Sequence, residues 1–292
     1  MPRILMGVVG CMGNRQIARA LDCSPSTISH QIARLGRHCL LIQAAELARV
    51  RSLDEIAIDG FETFEWSQYF PFHHNVAVHV SSGYFLGHTD SPLRRKGRMR
   101  VRQKVRRAQL EQALGKASPR AVEDGMRELL RTVVAERSVP IIRSDDHRAY
   151  PRAIRALGRS VTHCVTSSKR RRDQRNPLWE VNLLDLMIRH STSAHKRETI
   201  SWAKRRQASI EKLTIFRVWR NYMKKRWEKG PRETPAMLLG LAERPWRLRD
   251  LLSQRLFFKK ATLPIRSETY YRRDVQTAAL TVNRRHQLRY AF

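Results

Sequence analysis

The chain has 292 residues, 41% of them hydrophobic, and carries 57 Lys and Arg against 26 Asp and Glu, a formal charge of +31. Disorder throughout is excluded, since this content suffices for a catalytic-size core with one small appended unit. Such charge repels itself until phosphates replace its counterions, so a polyanion, first of all nucleic acid, is the expected partner, although ribosomal and packaging proteins share this imbalance.

The apolar opening, residues 4–11, is too short to span a bilayer, and no later run approaches the required length. A cytoplasmic, nucleoid-associated protein without membrane contact is expected. From residue 14 the sequence NRQIARALDCSPSTISHQIARLGRH places Ile17, Ala18 and Leu21 on one short apolar helix face and Ile28, Ile32 and Leu35 on the next. Asp22-Cys23-Ser24 reads as the turn, with Ser24 as N-cap and Pro25 at the first helical position, where its missing N–H is not needed. This is a helix-turn-helix pattern. Its second helix would direct Ser26, Thr27, Ser29 and His30 at base edges, with Arg34 further along and Arg37 just beyond, on a phosphate. A two-helix packing element with a basic surface is the plainer alternative. Helical spacing continues over residues 41–50, so this first unit, residues 1–50, is joined to the next by a helix. The cysteines, Cys11, Cys23, Cys39 and Cys164, form no CxxC pair and accompany no secretory signal, which argues against a disulfide or a zinc site.

Residues 55–64 (EIAIDGFETF) alternate as a strand does, with Asp59 in the middle. Strand-like runs follow at 75–80 and 84–88, separated by Ser81-Ser82-Gly83, a hairpin signal. Helical periodicity covers residues 102–114 and 119–135. A fourth strand, 139–143, delivers Ser144-Asp145-Asp146-His147 at its C-terminal end, where open α/β sheets bind ligands. Residues 150–157 read as a helix and 161–165 as a fifth strand. Carboxylates at strand ends suit divalent metal, since two Mg²⁺ ions ~3.5–4 Å apart activate a hydroxyl nucleophile and stabilise the departing oxygen of a phosphodiester. A lone Asp59 would serve equally as a turn cap or surface acid; its pairing with Asp145 at a matching strand position favours chemistry.

The stretches IDGFETF around Asp59, SDDHRAYPRAI over residues 144–154 and NPLWEVNLLDLMIRHSTSAHKRETISWAKRR over 176–206 resemble bacterial insertion-sequence transposases of the DDE type. The resemblance covers most of the chain after residue 14. It implies an α/β fold in which a helix-turn-helix precedes a ribonuclease-H-like core, here residues 51–206, with a mixed sheet flanked by helices. It also implies Mg²⁺ or Mn²⁺ as cofactor, double-stranded DNA (transposon ends and target) as partner, and at least a dimer on DNA. The reaction would be cleavage at the ends and attack of the freed 3′-OH on target, with no covalent enzyme intermediate. The first acid falls on Asp59 and the second on Asp145, with Asp146 beside it. In better-known relatives a Glu precedes the Arg matching Arg189 by seven residues; here that position is Asn182. Asp185 shares the 182/185/189 helix face and is the expected third ligand, with Glu180 and Glu198 as rivals and a simple i,i+4 pair with Arg189 as the alternative. Some relatives carry a zinc-binding segment ahead of the helix-turn-helix. A truncated or domesticated copy, a noncatalytic DNA-binding regulator, is the competing reading.

The third region, residues 207–292, is expected to be a basic helical extension. Over 209–225, Ile210, Leu213, Phe216, Val218 and Trp219 interleave with Lys212, Arg217, Arg220, Lys224 and Lys225, as if one face packed on the core and the other lay along phosphates. A helix is expected over 250–258. Tyr270, Tyr271, Arg272, Arg273, Arg284, Arg285 and His286 suggest an end-binding tail.

Overall fold

Strand β1 (Glu55–Phe64) turns Ile56 and Ile58 to one side and Ala57 and Phe61 to the other, and all four are buried. Such a strand needs cover on both faces, which the centre of a helix-flanked sheet supplies. Strand β2 (Pro71–His79) pairs antiparallel with β1, and β3 (Phe85–Pro92) antiparallel with β2. On the other side β4 (Ile141–Asp145) runs parallel to β1, and β5 (Thr162–Thr166) parallel to β4. The mixed five-stranded sheet therefore has the order β3-β2-β1-β4-β5. The computed structural model describes residues 1–135 and 137–279. The chain is α/β, as its sequence leads one to expect.

Strand β2 begins at Pro71 rather than Asn75, because His73, His74 and Asn75 are buried polar residues that hide the alternation. Their hydrogen bonds are internal: His74 Nε2 and His195 Nε2 share Ser209 Oγ at 2.9 and 2.8 Å, and Asn75 Nδ2 donates to Thr89 and Ser91. Buried polar groups with partners are tolerated where unpaired ones are not.

Three helices precede the sheet: α1 (Pro2–Val9), α2 (Asn14–Ala20) and α3 (Pro25–Arg49). Ser24 Oγ accepts from Thr27 N at 3.1 Å, capping α3, and Pro25 opens it, while Asp22 takes a left-handed φ of 48° in the turn. The second helix of the expected motif and the helical linker are one uninterrupted rod of 25 residues. Its first turns pack Ile28 and Ile32 with Ile17, and its later turns bring Cys39, Ile42 and Leu47 into a hydrophobic cluster that extends to Leu251. The N-terminal helices are thus built into the main body.

After the first three strands come α4 (Val101–Leu114), which buries none of its residues, and α5 (Ala121–Val134), which covers one sheet face with Met126, Leu129 and Val133. Helix α6 (Ala149–Arg155) follows β4 on that side. Helix α7 (Trp179–Ser191) covers the opposite face with Val181, Leu184 and Ile188, beside α8 (Arg206–Val218). The chain ends its described part with α9 (Pro235–Leu238), α10 (Leu248–Ser253) and α11 (Ile265–Arg272).

Helix α8 corrects the reading of residues 209–225 as a helix with a phosphate-facing side. It is buried along nearly its whole length, with Lys212 and Arg217 turned inward, and Arg220 just beyond it is buried as well. Arg217 donates to Phe85 O, to Gln43 Oε1 at 2.7 Å and to Leu86 O, so the third strand's carbonyls hold the charge that the pattern assigned to DNA. The α-helix stops at Val218 and passes into a π-helical turn, Trp219–Met223. Tyr270 and Tyr271 are core residues rather than a tail, the former donating to Asp90 at 2.6 Å; Arg284, Arg285 and His286 lie outside the described residues. The expected helix over 250–258 is α10, which ends at Ser253. No helix among the described residues is long and apolar enough to cross a membrane.

Candidate active site

Parallel pairing sets Ala57 of β1 opposite Arg143 of β4. Two residues further along each strand stand Asp59 and Asp145, and the period of two puts both on the same sheet face as Ala57 and Arg143. That face is the one α7 covers. Because Val181, Leu184 and Ile188 anchor α7 against Ala57 and Phe61, Asp185 lies at the edge of the buried stripe. All three acids line one cleft of about 830 Å³.

The acid chosen at each position follows from placement. Asp145 lines the cleft and accepts from His147 N at 3.0 Å, whereas its neighbour Asp146 is exposed and accepts from Ser168 N on the other side of the strand end. Glu180 is buried elsewhere, in an ion pair of 2.8 Å with Arg226. Glu198 is exposed in a turn, at φ 52°. Neither Glu lines the cleft, and Asp185 does. Asp185 also makes the i,i+4 pair, 3.1 Å from Arg189 Nε, through Oδ2; its Oδ1 is buried and unpartnered. Arg189 in turn lies over the Phe61 ring, 5.2 Å from its centroid.

Burial pushes the Asp59 carboxyl up to about 7, helped by the nearby charges of Asp145 and Asp185, while Gly60 N–H and Arg172 pull it down. The phenol of Tyr150 donates to Asp59 Oδ1 at 3.4 Å, and its own ionisation is pushed far up by burial and by Asp59 and Asp145, so it stays a donor. Gly60 is required beside the acid. A Cβ there would sit 2.2 Å from His73 Cε1 and 2.3 Å from His74 O, forcing β2 away from β1. The rim is cationic, with Arg94, Lys96, Arg148, Arg152, Arg172 and Arg197 around the acids.

No protein-family model and no curated protein sequence matches the chain.

The donor set is entirely carboxylate oxygen, which suits hard divalent cations such as Mg²⁺ or Mn²⁺. A carboxyl raised to about 7 by burial and by its acidic neighbours, and an unpartnered buried oxygen on Asp185, are what a shared cation would relieve. Among the described residues no group of three or more His, Cys, Asp or Glu is gathered closely enough to hold a metal ion. The acids share the cleft without being drawn to ligand distance. Tyr150, Gly60 and the rim arginines escaped the sequence reading; the only signal for Tyr150 was its place five residues beyond Asp145 in SDDHRAY.

On the N-terminal helices, Ser26, Thr27, Ser29, His30 and Arg34 are all exposed along α3. Arg37 is not. It lies within the helix rather than beyond it, is 6% exposed, and its charge is disfavoured by burial and by Arg273, so it is no phosphate contact in this arrangement. The periodicity explains the error: Arg37 falls two residues after Leu35, where α11 and α8 cover the helix.

Proposed function

We propose that the chain is a DDE-type transposase with a ribonuclease-H-like core, cleaving double-stranded DNA at the ends of an insertion sequence and joining the freed 3′ ends to target. The observation that carries this reading is the convergence of Asp59, Asp145 and Asp185, from three separate elements, on one cation-rimmed cleft. The strand order and the +31 charge support it. Asp59, Asp145 and Asp185 would hold Mg²⁺ or Mn²⁺, which supplies charge stabilisation to the attacking and departing oxygens. The rim arginines bind the phosphodiester and orient it. Tyr150 steadies Asp59 by donating to Oδ1, and Arg189 fixes the rotamer of Asp185. In hydrolysis a water oxygen bonds to phosphorus, its proton passing to solvent, while the 3′ oxygen departs and takes up a proton. The resulting 3′-OH then attacks target phosphorus in the same way, releasing a target 3′-OH.

The exposed residues of α3 from Ser26 to Arg34 form the proposed sequence-reading surface of a helix-turn-helix. A noncatalytic DNA-binding regulator is the second reading, favoured by the grip of Arg189 on Asp185. One experiment separates them: Mg²⁺-dependent cleavage of duplex DNA taken from the sequence flanking the gene, by the wild type and by Asp145→Asn, Asp185→Asn, Glu180→Gln and Glu198→Gln. Cleavage by the wild type, a loss of at least ~10²-fold in the two Asp variants and retained end binding are expected. An inert wild type establishes the regulator; normal cleavage by Asp185→Asn with loss in a Glu variant moves the third ligand.

A further inference from the structure

Helix α4, which follows β3 and precedes α5 in the chain, has no buried residue along its 14 positions. Nine cations and no acid occupy the segment from Arg94 to Arg107, the nearest acids being Asp90 and Glu111. Among the described residues, its contacts come from one side. Arg94 makes two bonds to Glu111, at 2.7 and 2.9 Å, and Arg107 donates to Arg95 O at 3.1 Å. Its partly covered residues, Gln103, Arg107, Leu110 and Glu111, all fall within one side of the helix. Directly opposite lie Val101, Val105, Ala108 and Gln112, with Val101 at 78% and Val105 at 52% exposure. Arg102 and Arg106 form one flank of that neutral strip, and Lys104 stands on the other. Both ends of the arm reach the active cleft, which Arg94 and Lys96 line on one side and Ala117 and Ser118 on the other.

We propose that α4 enters the major groove of duplex DNA bound at this cleft, with its neutral strip toward the base edges and its cationic flanks on the two phosphate walls. The inference rests on the reading of the cleft as a DNA site. A helix fits the groove, which is about 12 Å wide, and small or amide side chains meet thymine methyl groups and adenine edges there. A second copy of the chain is disfavoured as the occupant, because pairing two such arms would set nine cations against nine.

The test is binding of a mixed-sequence duplex of about 30 base pairs in EDTA, with 5-bromouracil in place of thymine to put a photoreactive atom in the major groove. Irradiation of the wild type is expected to crosslink peptides from α4. Replacing both flank arginines, Arg102→Ala with Arg106→Ala, should lower affinity at least ~10-fold and reduce the log–log salt slope by about 2, at about 0.9 per phosphate contact. Since α4 buries nothing, the melting temperature should stay unchanged. No α4 crosslink, an unchanged slope, or a change in sedimentation with DNA affinity intact overturns the proposal. Because EDTA removes catalysis from the assay, an inert cleavage reaction leaves this result standing, and the two readings fail separately.

Discussion

Asp59 offers a thermodynamic test of the cleft that needs no substrate. Its carboxyl is raised from the ordinary value of 3.8 to about 7 by burial and by Asp145 and Asp185. The native state therefore keeps a proton that the unfolded chain releases, and stability falls as pH rises through the window from 3.8 to about 7. Over that window the difference, at about 1.36 kcal/mol per pH unit, amounts to about 4 kcal/mol. Asp59→Asn keeps the shape and abolishes the titration. At pH 8 in EDTA the variant should be more stable by up to this amount. With an unfolding entropy of about 2.1 cal/mol/K per residue, 4 kcal/mol corresponds to roughly 7 °C in melting temperature for a chain of this length. Differential scanning calorimetry of both proteins at pH 5 and pH 8 checks it, with the gain shrinking toward acid. Mg²⁺ at pH 8 should then stabilise the wild type by about 2.7 kcal/mol at a hundred times its dissociation constant, and the variant by less. An Asn variant no more stable than the wild type at pH 8, or an advantage that does not change with pH, would refute the argument that Asp59 is held against its charge.

Gly60→Ala should destabilise the fold by about 1–3 kcal/mol through overpacking against β2, read as a lower urea midpoint; an unchanged midpoint would show that β1 and β2 separate freely at His73 and His74. His74, His88 and His195 are buried, with their protonation driven down by burial, His88 and His195 to about 3. The unfolded chain takes up protons below about 6.5 that the native state refuses, so stability should fall as pH drops from about 6.5 toward 3; a His88→Phe variant should flatten that acid limb, and an identical slope would remove His88 from the account. Arg34→Glu, on the exposed face of α3, should weaken binding to gene-flanking duplex more than to random duplex in a gel-shift comparison; equal losses would mean that this face does not read sequence.

Local pattern carried the sheet. Alternation in EIAIDGFETF found β1 to the residue, and the Ser-Pro pair found the start of α3, because period and capping are set by neighbours in the chain. Asp59 and Asp145 were legible for the same reason, since each stands at a fixed point on a strand whose limits the local sequence announces. Helix phase alone keeps Asp185 apart from Glu180 in the sequence; which of them meets the cleft depends on how Val181, Leu184 and Ile188 seat α7 on the sheet.

Charge was where sequence misled, and tertiary packing decided the outcome. A cation has the same appearance in sequence whether it faces solvent or lies under another helix. The charge and spacing of Arg37, Lys212, Arg217 and Arg220 suggest DNA contact, yet all four are buried, with carbonyls, Glu211 and Glu180 nearby. Helix α4 is the converse case, a helix of ordinary periodicity that acquires its interest because it buries none of its residues. The sequence by itself determined composition, element type and the two strand acids, Asp59 within β1 and Asp145 at the end of β4, all of which follow from short-range geometry. Only the tertiary structure decided which charges are internal and which acids share a cleft, because burial is a property of distant segments brought together.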